Sequence, residues 1–218
     1  MDVKFLKWTG HAGFMLESGG KHIYIDPFNI GEASKRADAI LITHPHFDHM
    51  SQKDIEAIAD DETEILLPKD SVEKLQRGRK TGVEPDKEYT AAGIKVETIP
   101  AYNVVRERLN NHPKEKKWVG YIVEAEGLRI YHAGDTDFIP EMKGLEVDLA
   151  LIPIGGTYCM GLDEAIEAAK AMHAKSIAPM HYKALLGKEG SIEAEERFRK
   201  EVKNSMILKE IAGPRYSF

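Results

Sequence analysis

A single cysteine, Cys159, stands among the 218 residues. It excludes an intramolecular disulfide framework and a thiolate metal cluster, so any bound metal must rely on imidazole and carboxylate. No apolar run approaches the length of a membrane span. The opening "MDVKFLKWTG" alternates like a strand and lacks the apolar core of a signal peptide. Both absences lead us to expect a cytoplasmic protein without a membrane partner. Positive charge is also in deficit, with 30 Lys and Arg against 36 Asp and Glu and a formal net charge of -6. A long phosphate contact needs clustered positive charge, so nucleic acid is not an expected partner. Low-complexity tracts, Pro/Gly/Ser-rich linkers and repeats are missing too. One compact domain over residues 1–218 is expected, and a homo-oligomer is not excluded.

What is present reads as a mixed α/β protein. Residues 2–8 alternate, and "GFMLESGGKHIYIDP" reads as a hairpin closed at Gly19-Gly20. "ADAILIT" is a continuous apolar run suited to a strand buried on both faces. Ser51 followed by Asp54 resembles a capping box opening the helix "QKDIEAIADD". A strand "TEILL", a capped helix from Asp70 to about Gly78 and a strand "GIKVETI" are expected next. Residues 103–117 show no period and read as a long loop. "WVGYIVEAEGLRIYHAGDTD" forms a hairpin turning near Glu126-Gly127. The strand "VDLALIPI", the helix "DEAIEAAKAMH", the strand "KSIAPMH", the helix "SIEAEERFRKEV" and a short apolar stretch complete the chain.

Metal-type side chains recur just after the buried strands. "AILIT" runs into His44, His46, Asp48 and His49, "LRIY" into His132 and Asp135, and "SIAPM" into His181. Ligands of open α/β sheets gather beyond the carboxyl ends of strands, so these segments can converge on one site. A lone histidine is usually a surface or hydrogen-bonded residue. We read His22, in a strand, and His173, near a helix end, that way. His11 and His132, in Gly-flanked turns, are read as supports that hydrogen-bond the site. Four candidate ligands in six positions behind a buried strand are not surface decoration. Imidazole and carboxylate suit a borderline divalent cation.

"HPHFDH" matches the His-x-His-x-Asp-His signature of the metallo-β-lactamase superfamily, "HAGDTD" resembles its later Gly-Asp segment, and "PMHY" its final histidine region. The resemblance covers essentially the whole chain. "WTGHAGFMLESGGKHIYIDPF", "HPKEKKWVGY" and "PIGGTYCM" are more narrowly similar to small prokaryotic members akin to the ascorbate-phosphate lactonase branch. The N-acyl phosphatidylethanolamine phospholipase D branch is a more distant likeness. The resemblance implies a four-layer αβ/βα sandwich, with two mixed sheets flanked by helices and a dinuclear site at one rim. His44 and His46 would hold one metal, Asp48, His49 and His181 the other, and Asp135 would bridge them. The ions would be two divalent cations, zinc first, with manganese or iron as alternatives. The family's third histidine for the first metal is replaced by Asn103 in "TIPAYN". Either Asn103 binds through its amide oxygen or leaves the position open, or His112 folds back to supply the nitrogen.

Two such cations bring the pKa of a shared water to roughly 7, which makes a metal-bridging hydroxide available for hydrolysis. The resemblance also gives Asp48 a role in orienting that nucleophile or shuttling a proton. The 103–117 loop carries Arg106, Arg108, Lys114, Lys116 and Lys117 against Glu107 and Glu115. That excess points to a small anionic ester, phosphoester or lactone, with Asn103, Arg106 and Tyr158 as substrate contacts. Glycines at Gly155-Gly156 would let backbone approach a ligand closely, or simply form a tight strand-to-helix turn. Cys159 reads as a buried small hydrophobe. The competing functions are a nucleic-acid phosphodiesterase, disfavoured by the lack of a basic arm, and a non-enzymatic metal-binding scaffold or sensor, motivated by Asn103.

Overall fold

The computed structural model describes residues 2–31 and 34–211. The first sheet holds, in spatial order, β1 (Leu6–Gly10), β2 (Gly13–Ser18), β3 (Lys21–Ile25), β4 (Ala39–Leu41), β5 (Glu64–Pro68) and β6 (Arg79–Val83). The second runs in reverse order from β12 (His173–Met180) through β11 (Glu146–Pro153), β10 (Leu128–His132), β9 (Val119–Ala125) and β8 (Ile94–Pro100) to β7 (Glu88–Ala91). Both sheets are mixed. Hairpins build their antiparallel parts, and β3–β6 and β10–β12 pair in parallel.

The central strand explains its own composition. Ala39 and Leu41 of β4 join the cluster between the sheets, whereas Ile40 and Ile42 point the other way. There they meet Ile55 and Ile58 of α1 (Gln52–Ile58) and Ile65 and Leu67 of β5. A strand with two buried faces loses the polar half of its alternation, which is why the run is continuous. Each such side chain contributes about 1.5–3 kcal/mol. On the far side, α2 (Leu162–Ala171) and α3 (Lys183–Glu201) cover the second sheet, with Ile166, Ala169 and Phe198 in the core. The layers are those of an αβ/βα sandwich.

Several local expectations shift. Residues 69–74 form only a 3-10 turn instead of a helix reaching Gly78, and the polar edge strands β6 and β7 follow it. β1 begins later than the alternation suggests, and His173 opens β12 rather than closing α2. Ser51 does cap α1, accepting from the Asp54 nitrogen at 3.4 Å. The Asp54 carboxylate accepts from the Ser51 hydroxyl at 2.5 Å and also from the nitrogens of Asn29 and Ile30 at 2.9 and 3.2 Å. The loop over 103–117 is as expected, apart from one 3-10 turn at Lys114–Lys116. The closing apolar stretch lies partly outside the described residues. Among those residues, no helix is long and apolar enough to cross a membrane.

Candidate metal centre

The ends of β4, β10, β11 and β12 share one rim, and the two sheets are tied together there. Val119 nitrogen donates to Thr43 carbonyl at 3.2 Å, and His181 nitrogen to His11 carbonyl at 3.0 Å. Tyr121 hydroxyl donates to Ile42 carbonyl at 2.8 Å. Beyond β4 the chain turns tightly, with the nitrogens of His49 and Met50 donating to His46 carbonyl. That turn presents His44, His46, Asp48 and His49 to one point.

One group of possible ligand atoms comprises His44, His46 and His112, and another His11, Asp48, His49 and His181; the atoms of each group lie within 4.8 Å of one another. His44 Nε2 and His112 Nε2 are 3.3 Å apart. Asp135 lies between the groups, with its carboxylate 3.7 Å from His112 Nε2, 3.5 Å from His49 Nε2 and 3.3 Å from His181 Nε2. Trp118 backs the first group, its ring 5.3 Å from His44 and 5.1 Å from His46.

Three histidines have a fixed tautomer. Thr43 Oγ1 donates to Asp26 Oδ2 at 2.6 Å, so at 2.9 Å it accepts from His44 Nδ1. His49 Nδ1 donates to the same Asp26 oxygen at 2.7 Å. Asn103 Nδ2 donates to Asp137 Oδ1 and Tyr158 carbonyl, which sets its amide orientation, and Asn103 Oδ1 then accepts from His112 Nδ1 at 2.9 Å. In each case Nδ1 is the nitrogen engaged by the protein, and Nε2 is the one turned toward a cation's position.

The donor set fits metal ions on a direct observation. His49 Nε2, His181 Nε2 and Asp135 Oδ1 are buried without a hydrogen-bond partner. Orphaned buried polar atoms are costly unless something else satisfies them. Electrostatics agree for the first group, whereas at His49 a cation would displace a proton. Burial holds His44 and His46 below their ordinary values and His112 down at about 4, so these rings are neutral, the ligating form. For His49 the burial penalty is overridden by Asp135, Asp26 and Asp48, which push it well up. Asp48 and Asp135 stay ionised because the surrounding histidines outweigh their desolvation.

The structure settles where the doubtful residues lie. His112 joins His44 and His46, with ring centroids 4.7 and 4.9 Å away. Asn103 is buried, its amide engaged with His112, Asp137 and Tyr158, which leaves none of it for a substrate. His11 Nε2 donates to Asp48 Oδ2 at 2.8 Å. His132 turns away and donates to Ala12 carbonyl at 2.7 Å. Tyr158 stands at the cavity wall, whereas Arg106 is exposed and not among the cavity's lining residues. Arg108 is the loop arginine with partners, 2.8 Å from Asp137 and 2.5 Å from Glu164. Gly155 serves protein rather than ligand, since a Cβ there would sit 2.4 Å from His181 carbonyl. Buried Cys159, its thiol pushed well up by desolvation, is no nucleophile.

Asp26, Thr43, Trp118 and Asp137 escape the sequence reading. Asp26 ends "HIYID" after an apolar strand, a position like those of the other site residues. Asp137 sits within "HAGDTD", two residues past Asp135, and was overshadowed by it. Its two oxygens accept from Asn103, Val104, Val105 and Arg108, which makes it the anchor of the 103–117 loop.

Two facing mixed sheets with a histidine and aspartate cluster at their common rim define a metal-site αβ/βα sandwich. The family model of the Beta-lactamase superfamily domain matches residues 5–181, and the chain belongs to the metallo-β-lactamase superfamily. It is 33% identical over 201 residues to a UPF0173 metal-dependent hydrolase of Pelotomaculum thermopropionicum, covering 84% of each protein. Identity to the relative of the same name in Archaeoglobus fulgidus is 30%, covering 98% of each. A Parabacteroides distasonis crystal structure, named for a metal-dependent hydrolase, superposes with a TM-score of 0.82 at 32% identity, covering 94% of this chain and 93% of its own.

Proposed function

We propose that the chain is a dinuclear metal-dependent hydrolase of a small ester, lactone or phosphoester. His44, His46 and His112 would hold one divalent cation, Asp48, His49 and His181 the other, with Asp135 between them. Zinc suits this nitrogen-rich set best, with manganese or iron as alternatives. When bound, such a pair supplies an activated water with a pKa of roughly 7 and positive charge for the substrate oxygen. The carrying observation is the set of inward-facing Nε2 atoms on His44, His49 and His112, each fixed by a partner on its own Nδ1.

The chain's residues would then position and move protons. Asp48 lines the cavity and has one oxygen held by His11, so it is placed to orient the attacking water or take its proton. Trp118 and the buried histidine shell keep bulk water from the inner side of the site. A cytoplasmic location belongs to the same proposal.

The test is turnover of chromogenic esters, lactones and phosphodiesters by metal-loaded protein. Turnover is expected, abolished by chelation and lost in Asp48→Ala. Two tightly bound equivalents with no turnover across the panel would favour the scaffold instead.

A further inference from the structure

The cavity over the histidines measures about 610 Å³, within the range of small-molecule sites. His11, His46, Asp48 and Asp135 form its metal-facing side. Its remaining lining is Phe47, Tyr158, Ala184 and Leu185, with the amides of Asn110 and Asn111. No lysine or arginine stands among these described residues. We propose that the cavity takes an uncharged carboxylic ester or lactone with an apolar group, in preference to a phosphate ester; this rests on the hydrolase reading above.

Three independent observations carry the choice. The first is exposed apolar surface. Phe47 is 66% exposed and Tyr158 45%, although both are large rings on the wall. Leu109 and Leu186, 45% and 36% exposed, adjoin the lining residues Asn110 and Leu185. Two of the seven exposed large hydrophobics among the described residues therefore line this cavity, where a ligand would cover them, and two more neighbour lining residues in sequence. Phe47 is also braced, its ring meeting Phe28 edge-on at 5.9 Å.

The second observation is the absence of cations from the wall: exposed Arg106 stays off it, and several other cations of the loop are already committed. Arg108 pairs with Asp137 and Glu164, Lys114 with Glu141, and Lys117 with Glu84. Lys74 acts on His46 only through space and is exposed, off the cavity wall. The non-reacting oxygens of a phosphate ester would find no cationic side chain on this wall to replace their lost water. The third is the asparagine pair, whose amides can donate to and accept from a neutral carbonyl or ring oxygen.

The experiment measures kcat/KM of zinc-loaded protein for p-nitrophenyl acetate, butyrate and hexanoate, and for p-nitrophenyl phosphate and bis(p-nitrophenyl) phosphate. The leaving group is constant, so only the transferred group varies. Up to about a fourfold rise per added methylene is expected, with hexanoate exceeding both phosphates by roughly tenfold or more. Phe47→Ala and Tyr158→Ala, both at exposed positions, should each flatten the hexanoate-to-acetate ratio. A flat chain-length profile in the unaltered protein, or faster phosphate turnover, overturns the proposal while leaving the hydrolase reading intact. Turnover of none of the five, and of no lactone in the panel above, sinks the hydrolase reading instead. Calorimetric binding of hexanamide to zinc-loaded protein then decides the cavity's preference. Binding weakened by Phe47→Ala supports it, and no binding overturns it.

Discussion

Asn103 Oδ1 accepts from both the backbone nitrogen and the ring Nδ1 of His112, at 3.0 and 2.9 Å. A single amide oxygen thus folds a nine-residue excursion back on itself and aims one imidazole at His44 and His46. The residue that departs from the family pattern and the histidine that would replace it are parts of one device.

Removing that oxygen should therefore act through His112. Asn103→Ala leaves His112 Nδ1 without its acceptor and Asp137 without one donor. We expect about a 10- to 100-fold loss of affinity at the first metal position, with the second much less affected. Competition against a chromogenic chelator reads both affinities, and equal loss at both would place the effect in general misfolding.

Asp26 should govern the other position. It accepts from His49 Nδ1, Thr43 nitrogen and Thr43 Oγ1 within 2.6–2.8 Å while fully buried. Asp26→Ala orphans all three donors at a cost of about 2–4 kcal/mol in stability. It should also weaken the second site more than the first. Urea unfolding of metal-free protein, with the same chelator competition, separates the two effects.

Arg108 anchors the loop that carries His112. Arg108→Ala leaves buried Asp137 with three donors, so the cost should be about 1–3 kcal/mol rather than that of a naked charge. Faster proteolytic cleavage within residues 104–111 is expected. An unchanged cleavage rate would show that Asp137 holds the loop without Arg108.

Acid should destabilise the metal-free protein before its carboxylates titrate. Burial holds His11 and His112 at about 4, and His44 well below its ordinary value. Unfolded histidines near 6.5 bind protons that these folded ones refuse, so this part of the stability is complete above about pH 6.5 and is lost as pH falls toward 4. Each of His11 and His112 contributes on the order of 1–2 kcal/mol at pH 5. His49, raised by its carboxylates, opposes them with the reverse sign. The urea midpoint should fall between pH 7 and pH 5, and a flat profile would contradict the histidine burial.

The cluster at 44–49 was legible because its residues are contiguous and follow a run whose buried character is written in its composition. Asp135 and His181 could be placed by the same strand-end logic. The His112 and Asn103 pairing could not, because it depends on a loop held to Asp137 by contacts 29 to 34 residues apart in sequence, and the pairing itself lies in an aperiodic segment. β6 and β7 were missed for another reason. "RKTGV" and "EYTA" are short, half-exposed edge strands with little apolar alternation to read. Loop charge is a weak guide to the substrate, because composition counts cations without showing which already have partners.

Calorimetric titration of metal-free protein with zinc tests the dinuclear site most directly. Two equivalents per chain are predicted, falling to one in His112→Ala with the second position retained. A single equivalent in the unaltered protein, or a stoichiometry and affinity indifferent to His112→Ala, would contradict it.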